Sequence, residues 1–240
     1  MRNIISVSIA AVCTLIAGCS TQGSRINPLG TPKFVPQSDP GAYIETGIGE
    51  NPSPALGIFL QWYVTAGAAG YNVYRSDTTD NSGNPLNFRL VTSVPLGDTT
   101  AIDVYQLTTG VKYFYALRAY ASDQSLSDWS DTADISLLQR PTQISPVNGN
   151  SVDSDNVTLE WTDPTLGGWT VVRVADITAS QTVWVYAFSN YYSNGSIPYN
   201  KDGNARQSLT SGHEYQWRVD RFDLGTDHQS KSAWSTFTVN

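Results

Sequence analysis

Proton transfer near neutral pH would fall to His213 and His228, the two histidines of the chain. Ser211 lies two residues before His213, but no Gly-x-Ser-x-Gly turn frames any serine, so nucleophilic attack has no local support. His213 is itself read as an exposed loop residue. Carboxylates gather at Asp153 and Asp155, and again at Asp220, Asp223 and Asp227, in oxygen-rich stretches of the kind calcium favours. Neither group has the spacing of an EF-hand, and acidic loops between strands are ordinarily just solvated. The sequence offers no phosphate-cradling loop, no His-Glu-x-x-His helix and no cysteine cluster. No metal, no cofactor and no enzymatic activity are therefore expected.

Aromatic residues are the better candidates for contact with a partner. In the stretch 182–188, Trp184, Tyr186 and Phe188 share one face of a strand, while Val183, Val185 and Ala187 share the other. If the aliphatic face packs inward, the rings form an exposed platform for a sugar or a protein partner. If the rings pack inward, they are ordinary core filling, which is the commoner outcome. Tyr191, Tyr192 and Tyr199, with Trp184, are the candidate contact residues.

A third kind of chemistry is covalent attachment at Cys19. Met1-Arg2-Asn3 carries a positive charge and precedes an apolar run over 4–17, too short for a spanning helix, which needs roughly 20 apolar residues. The run ends in Leu15-Ile16-Ala17-Gly18-Cys19, which resembles the lipobox of bacterial lipoproteins. That resemblance implies cleavage of a signal peptide over 1–18 and acylation of Cys19, palmitate among the chains. Each buried methylene of such a chain is worth about 0.8 kcal/mol, so the membrane would be a partner without any spanning segment. Ser20 after the cysteine points, by the same resemblance, to the outer membrane of a cell envelope. Cleavage removes Cys13, so no disulfide is available to the mature chain. It also removes Arg2, taking the net charge of −7 to −8, a balance that disfavours nucleic acid as a partner.

These residues must be positioned by a repeated frame. Leu107-Thr108-Thr109-Gly110-Val111-Lys112-Tyr113 returns as Leu209-Thr210-Ser211-Gly212-His213-Glu214-Tyr215, 102 residues on, each copy running into a strand of alternating apolar residues. A turn of this form is a tyrosine corner, in which Tyr113 or Tyr215 fills the core and its hydroxyl bonds to backbone just upstream. Three further motifs repeat: Leu60-Gln61-Trp62 as Leu159-Glu160-Trp161 at 99 residues, 70–75 as 168–173 at 98, and Ser127-Asp128-Trp129-Ser130 as Ser232-Ala233-Trp234-Ser235 at 105. Strands are expected over 43–48, 55–64, 71–75, 88–94, 101–105, the corner strand and 134–138, with the same order repeated. The fold class is all-β, two tandem seven-stranded sandwiches over 41–139 and 140–240 joined by the short passage 138–141. Pro28, Pro32, Pro36 and Pro40 fall four apart in 19–40, which reads as a semi-stiff flexible tether, the alternative being a strand at 33–35.

Laid out in this way, the chain resembles a pair of fibronectin type III domains. The resemblance assigns Trp62 and Trp161 to the core of the second strand, Tyr71 and Trp169 to the opening of the third, and Tyr113 and Tyr215 to the corners. It implies an immunoglobulin-like fold that hosts adhesion, spacer and binding roles alike. The expectation is a lipid-anchored envelope protein that binds a protein, adheres, or helps assemble a surface structure. The alternative is a carbohydrate-binding accessory lipoprotein using the aromatics of the second domain.

Overall fold

A computed structural model describes residues 28–165, 167–189, 194–223 and 227–240. The signal peptide and Cys19 lie outside the described residues. Among those described, no helix is long and apolar enough to cross a membrane.

The N-terminal half contains β1 (Gly49–Glu50), β2 (Ile58–Gln61), β3 (Gly70–Ser76), β4 (Thr78–Thr79), β5 (Pro85–Leu86), β6 (Arg89–Pro95), β7 (Thr100–Asp103), β8 (Lys112–Tyr120) and β9 (Ala133–Leu137). One layer is β1-β2-β7 and the facing layer is β9-β8-β3-β6, with β4 and β5 a small hairpin to the side. The C-terminal half contains β10 (Thr142–Ser145), β11 (Asn150–Val152), β12 (Thr158–Thr162), β13 (Trp169–Asp176), β14 (Gln181–Ser189), β15 (Asn194–Pro198), β16 (Glu214–Phe222), β17 (His228–Lys231) and β18 (Ser235–Val239). Here β10-β12-β15 faces β14-β13-β16, with β17 and β18 both paired to β16. Each half thus has the layering of an immunoglobulin-like sandwich, as the strand pattern predicts, with nine described strands in place of the seven expected.

A separate core fills each sandwich. In the first, Trp62 and Tyr71 meet at 5.4 Å among Leu60, Val73, Tyr115 and Leu117. In the second, Trp161, Trp184, Trp217 and Phe237 do the same work, all buried. Gly195 lies so close under Trp161 that a methyl group there would sit 1.9 Å from its Cζ2 atom, so the indole is accommodated by the missing side chain opposite.

The corners form as the repeat predicts. Gly110 and Gly212 turn the chain at φ of 80° and 81°, a conformation costly to any other residue. The Thr108 N–H donates to the Tyr113 hydroxyl at 2.7 Å, and the Thr210 N–H to the Tyr215 hydroxyl at 2.9 Å. The serines of the other repeat serve the same strands. Ser127 and Ser130 accept from the N–H groups of Ala119 and Leu117, and Ser232 accepts from that of Val219. Trp129 and Trp234 then point outward beneath the guanidinium groups of Arg118 and Arg218, 5.2 and 4.5 Å from the ring centroids.

Three expectations are corrected. Residues 43–48 are bends and irregular chain, not the first strand; that place is shared by β1 and by 33–35, where Phe34 bridges Trp62. The Val35 N–H donates to Gln61 O and the Tyr63 N–H to Lys33 O, so the part of the expected tether from Pro28 onward belongs to the sandwich. Prolines at 32 and 36 flank the paired residues, and none is asked for an N–H group, which is how an edge tolerates them.

The 98-residue alignment of the third strand is one residue out of register. Tyr71 pairs with Ala119; the residue 102 beyond Ala119 is Arg221, and its partner is Thr170 rather than Trp169. A slip of one residue exchanges the two faces of a strand. Thr170 therefore takes the buried place and Trp169 turns out to the surface, 38% exposed.

The aromatic stripe of β14 faces inward, so the core-filling reading holds. Trp184 is fully buried, stacked at 5.6 Å on Tyr186, which stacks at 5.0 Å on Phe188. A bulge at Val183 places that residue in the core as well.

Candidate functional site at the junction of the two sandwiches

The two sandwiches are joined by more than the short passage between them. β9 of the first pairs in parallel with β17 of the second, with Ser136 opposite His228 and Leu137 opposite Gln229. This makes one sheet of ten strands across both halves. The Leu138 N–H completes the seam by donating to Gln229 O at 2.8 Å.

Behind the seam lies a buried ionic cluster. Glu50, fully buried at the end of β1, accepts Arg140 Nε at 2.5 Å and the Lys231 backbone N–H at 2.6 Å. Arg140 is wrapped in turn by the carbonyls of Asn51, Ser53, Pro54 and Ala55. The excursion over 36–48, between the two parts of the first strand, crosses to the second sandwich. There Glu45 takes Lys231 Nζ at 2.6 Å and Arg218 Nη2, while Arg173 donates to the carbonyls of Pro40 and Ala42, each at 2.5 Å. Asp220 sits at the centre, bridging Arg173 Nε at 2.8 Å and Arg218 Nε at 2.7 Å. Tyr43 lies 3.8 Å beneath the Arg206 guanidinium.

The two glutamates titrate in opposite directions. Burial pushes the Glu50 carboxyl up to about 7, outweighing Arg140 and Lys231. For Glu45 burial also acts upward, but the charges of Arg218, Lys231 and Arg173 together bring it down to about 2.

Above the cluster is an open cleft of about 290 Å³, lined by Gln37, Ser38, Trp169, Phe222, His228 and Gln229 among others. Its walls come from the excursion and from the ends of β13, β16 and β17. The junction of two layered units is a usual place for such a cleft.

The residues singled out in the sequence are dispersed. Cys19, Tyr191 and Tyr192 lie outside the described residues. Trp184 has no surface to offer, and its indole N–H donates to Asp202 at 2.8 Å. Tyr199 is half-buried edge-on to Trp184 at 5.3 Å and donates to Gln207 O, so both serve the core rather than a ligand. Tyr113 and Tyr215 are buried corners. The acidic trio does not converge as one site: Asp220 is the buried centre of the arginine cluster, whereas Asp223 and Asp227 both line the cleft, Asp223 facing His228 at 3.6 Å. His213 lies in the loop before β16, as expected, but is half-buried rather than exposed. Its Nδ1 lies 2.8 Å from Asp176, a buried carboxylate that burial pushes up but His213 and the Ala179 N–H hold below its ordinary value. None of Glu45, Glu50, Arg140 or Lys231 carries a motif. The one signal was the alternation of Arg218 and Asp220 on a strand, which reads as a solvated face unless another segment covers it.

No protein-family model matches the chain, and no curated protein resembles it closely enough to count as a relative. Among solved structures it is similar to an Fn3-like protein from Clostridium thermocellum, with 21% identity over 48% of this chain and 93% of that one and a TM-score of 0.29. It is also similar to the FN1-FN3 domains of chicken CNTN1, with 13% identity over 85% of this chain and 67% of that one, TM-score 0.32. A chain of a cytokine receptor complex is 12% identical over 80% of this chain and 95% of its own length, TM-score 0.33. Likeness at this level says nothing of function, and the sandwich layers stand on the strand pairings given above.

Proposed function

We propose that this chain is a lipid-anchored protein of a bacterial cell envelope, held in the outer membrane through Cys19. It presents two fibronectin type III-like sandwiches as one stiff unit for binding a protein partner, for adhesion, or for assembly of a surface structure. The observation that carries this reading is the seam between β9 and β17, backed by Glu50, Arg140 and Lys231. A flexible pair of modules needs no shared sheet and no buried ionic cluster, whereas a spacer or display platform gains from both, because a fixed geometry lowers the ordering cost of each contact it makes. Cross-linking in the native envelope, followed by capture of the chain, is the test. Recovery of a reproducible envelope partner is expected, and that partner should be lost when the seam is broken by Glu50→Ala. Capture of the same partner by either sandwich alone would remove the role given to the seam.

A second reading rests on Trp169. An exposed indole in a cleft lined with amide, hydroxyl, imidazole and carboxylate groups, the last from Asp39, Asp223 and Asp227, suits a saccharide, whose ring stacks on the indole face while its hydroxyls bond to the rim. Affinity electrophoresis in gels containing envelope polysaccharides tests it. Retardation that vanishes in Trp169→Ala supports the carbohydrate reading, and equal migration in every gel rejects it.

A further inference from the structure

We propose that the side of the N-terminal sandwich, where β6 and β7 border the gap between its two layers, is a binding site for a carboxylate, built on Arg75. Arg75 is the last residue but one of β3 and is 1% exposed. Its Nη1 donates to Asp103 at 2.5 Å and to Tyr105 O at 2.8 Å, and its guanidinium carbon stands 5.1 Å from the centroid of the Tyr113 ring. Its Nε and Nη2 are buried and have no hydrogen-bond partner among the described residues. A buried guanidinium edge without an acceptor costs more than an ordinary lost hydrogen bond, because the group is charged. Asp103 does not serve that edge: it is engaged by Nη1, by the Tyr115 hydroxyl at 2.8 Å and by the Tyr105 N–H at 3.0 Å.

A cavity of about 100 Å³ lies beside this group, lined by Arg75, Arg89, Leu90, Val91, Asp103 and Tyr105. Arg89 pairs with Arg75 directly across the β3–β6 ladder, an arrangement of like charges that destabilises a sheet unless an anion lies between them. Asp77 answers Arg89 only at 3.2 Å, with both side chains partly in water. Two guanidiniums therefore border the cavity, each with one carboxylate, Arg75 with Asp103 and Arg89 with Asp77, and what is left unanswered is the Nε–Nη2 edge of Arg75.

The Nε–Nη2 edge of an arginine presents two parallel N–H groups spaced to match the two oxygens of a carboxylate. Leu90 and Tyr105, 54% and 63% exposed, would receive the apolar carbon next to it. Such a carboxylate could be a free small acid or an acidic side chain of a polypeptide lying along the edge strand β6.

The test follows the Nε–Hε resonance of Arg75 by NMR in the purified protein, titrated at constant ionic strength with acetate, with a blocked glutamate peptide and with chloride. A saturable shift with acetate, absent with chloride, is expected. Arg89→Gln, at a half-exposed position, should weaken it several-fold while the melting temperature stays the same or rises, since a like charge opposite Arg75 is removed. A peptide that saturates at lower concentration than acetate identifies a polypeptide as the source, and the reverse order identifies a free acid. A shift that is linear in every salt, or unchanged in Arg89→Gln, would overturn the proposal and leave water as the partner of Arg75.

Discussion

Glu50 of the first sandwich accepts the backbone N–H of Lys231 in the second at 2.6 Å, and its other oxygen takes Arg140 from the segment between them. One buried carboxyl group thus ties three distant parts of the chain, and the halves cannot separate without breaking both of these bonds. Removing one partner of such a pair typically costs about 3–5 kcal/mol.

The consequence is thermal. A linker as short as 138–141, taken alone, would leave two domains free to melt independently, whereas a shared sheet couples them. Calorimetry should give one transition for the parent protein. Glu50→Ala should resolve it into two, the second sandwich losing the contact at Lys231. Two resolved transitions in the parent would show that the seam contributes little.

Acid and base should act on different glutamates. Glu50 has a folded value of about 7 against an ordinary 4.5, so its contribution is fully present below 4.5 and is lost as the pH rises through 7. The shift corresponds to about 3 kcal/mol. Glu45, at about 2, contributes above 4.5 and loses that contribution as the pH falls toward 2. Melting temperature should therefore peak between the two windows. Glu50→Gln should flatten the neutral limb and Glu45→Gln the acid limb. A profile that keeps both limbs in both variants would assign the titration to other groups.

What was legible in the sequence is what local chemistry dictates. The corners at Tyr113 and Tyr215 need a glycine with positive φ three residues earlier, and that spacing survives in both copies. The Ser-x-Trp-Ser repeats are legible for the same reason, because their hydroxyls answer backbone groups nearby. The register of β13 was not, since Trp169 matches Tyr71 as an aromatic and only the pairing with β16 shows that Thr170 holds the inward place. Nor was the strand at 33–35, whose prolines argue against pairing until one sees which groups pair. The ionic cluster depends on the 36–48 excursion crossing to the other sandwich, a contact with no local signature.

Anchoring is separable from folding. If Cys19 carries acyl chains, Cys19→Ala should move the protein from the membrane fraction to the soluble one while leaving its melting profile unchanged, because the described sandwiches begin nine or more residues beyond it. Retention of the variant after a high-salt wash would reject the lipid anchor.

The corner tyrosines test the fold at its most specific point. Each ring is buried, and each hydroxyl accepts a backbone N–H five residues upstream. Tyr113→Phe keeps the ring and leaves the Thr108 N–H without its acceptor, a loss of about 1–3 kcal/mol. Tyr113→Ala removes the ring as well and should cost roughly 3–5 kcal/mol, a large share of the stability of a domain this size. Tyr113 also underlies the Arg75 guanidinium, so its loss should be the more damaging of the pair; Tyr215 instead stacks on Phe237 at 5.6 Å. Denaturant titration of the four single variants gives the comparison. Equal, small effects of Phe and Ala at both positions would mean that the corners do not stabilise the sandwiches.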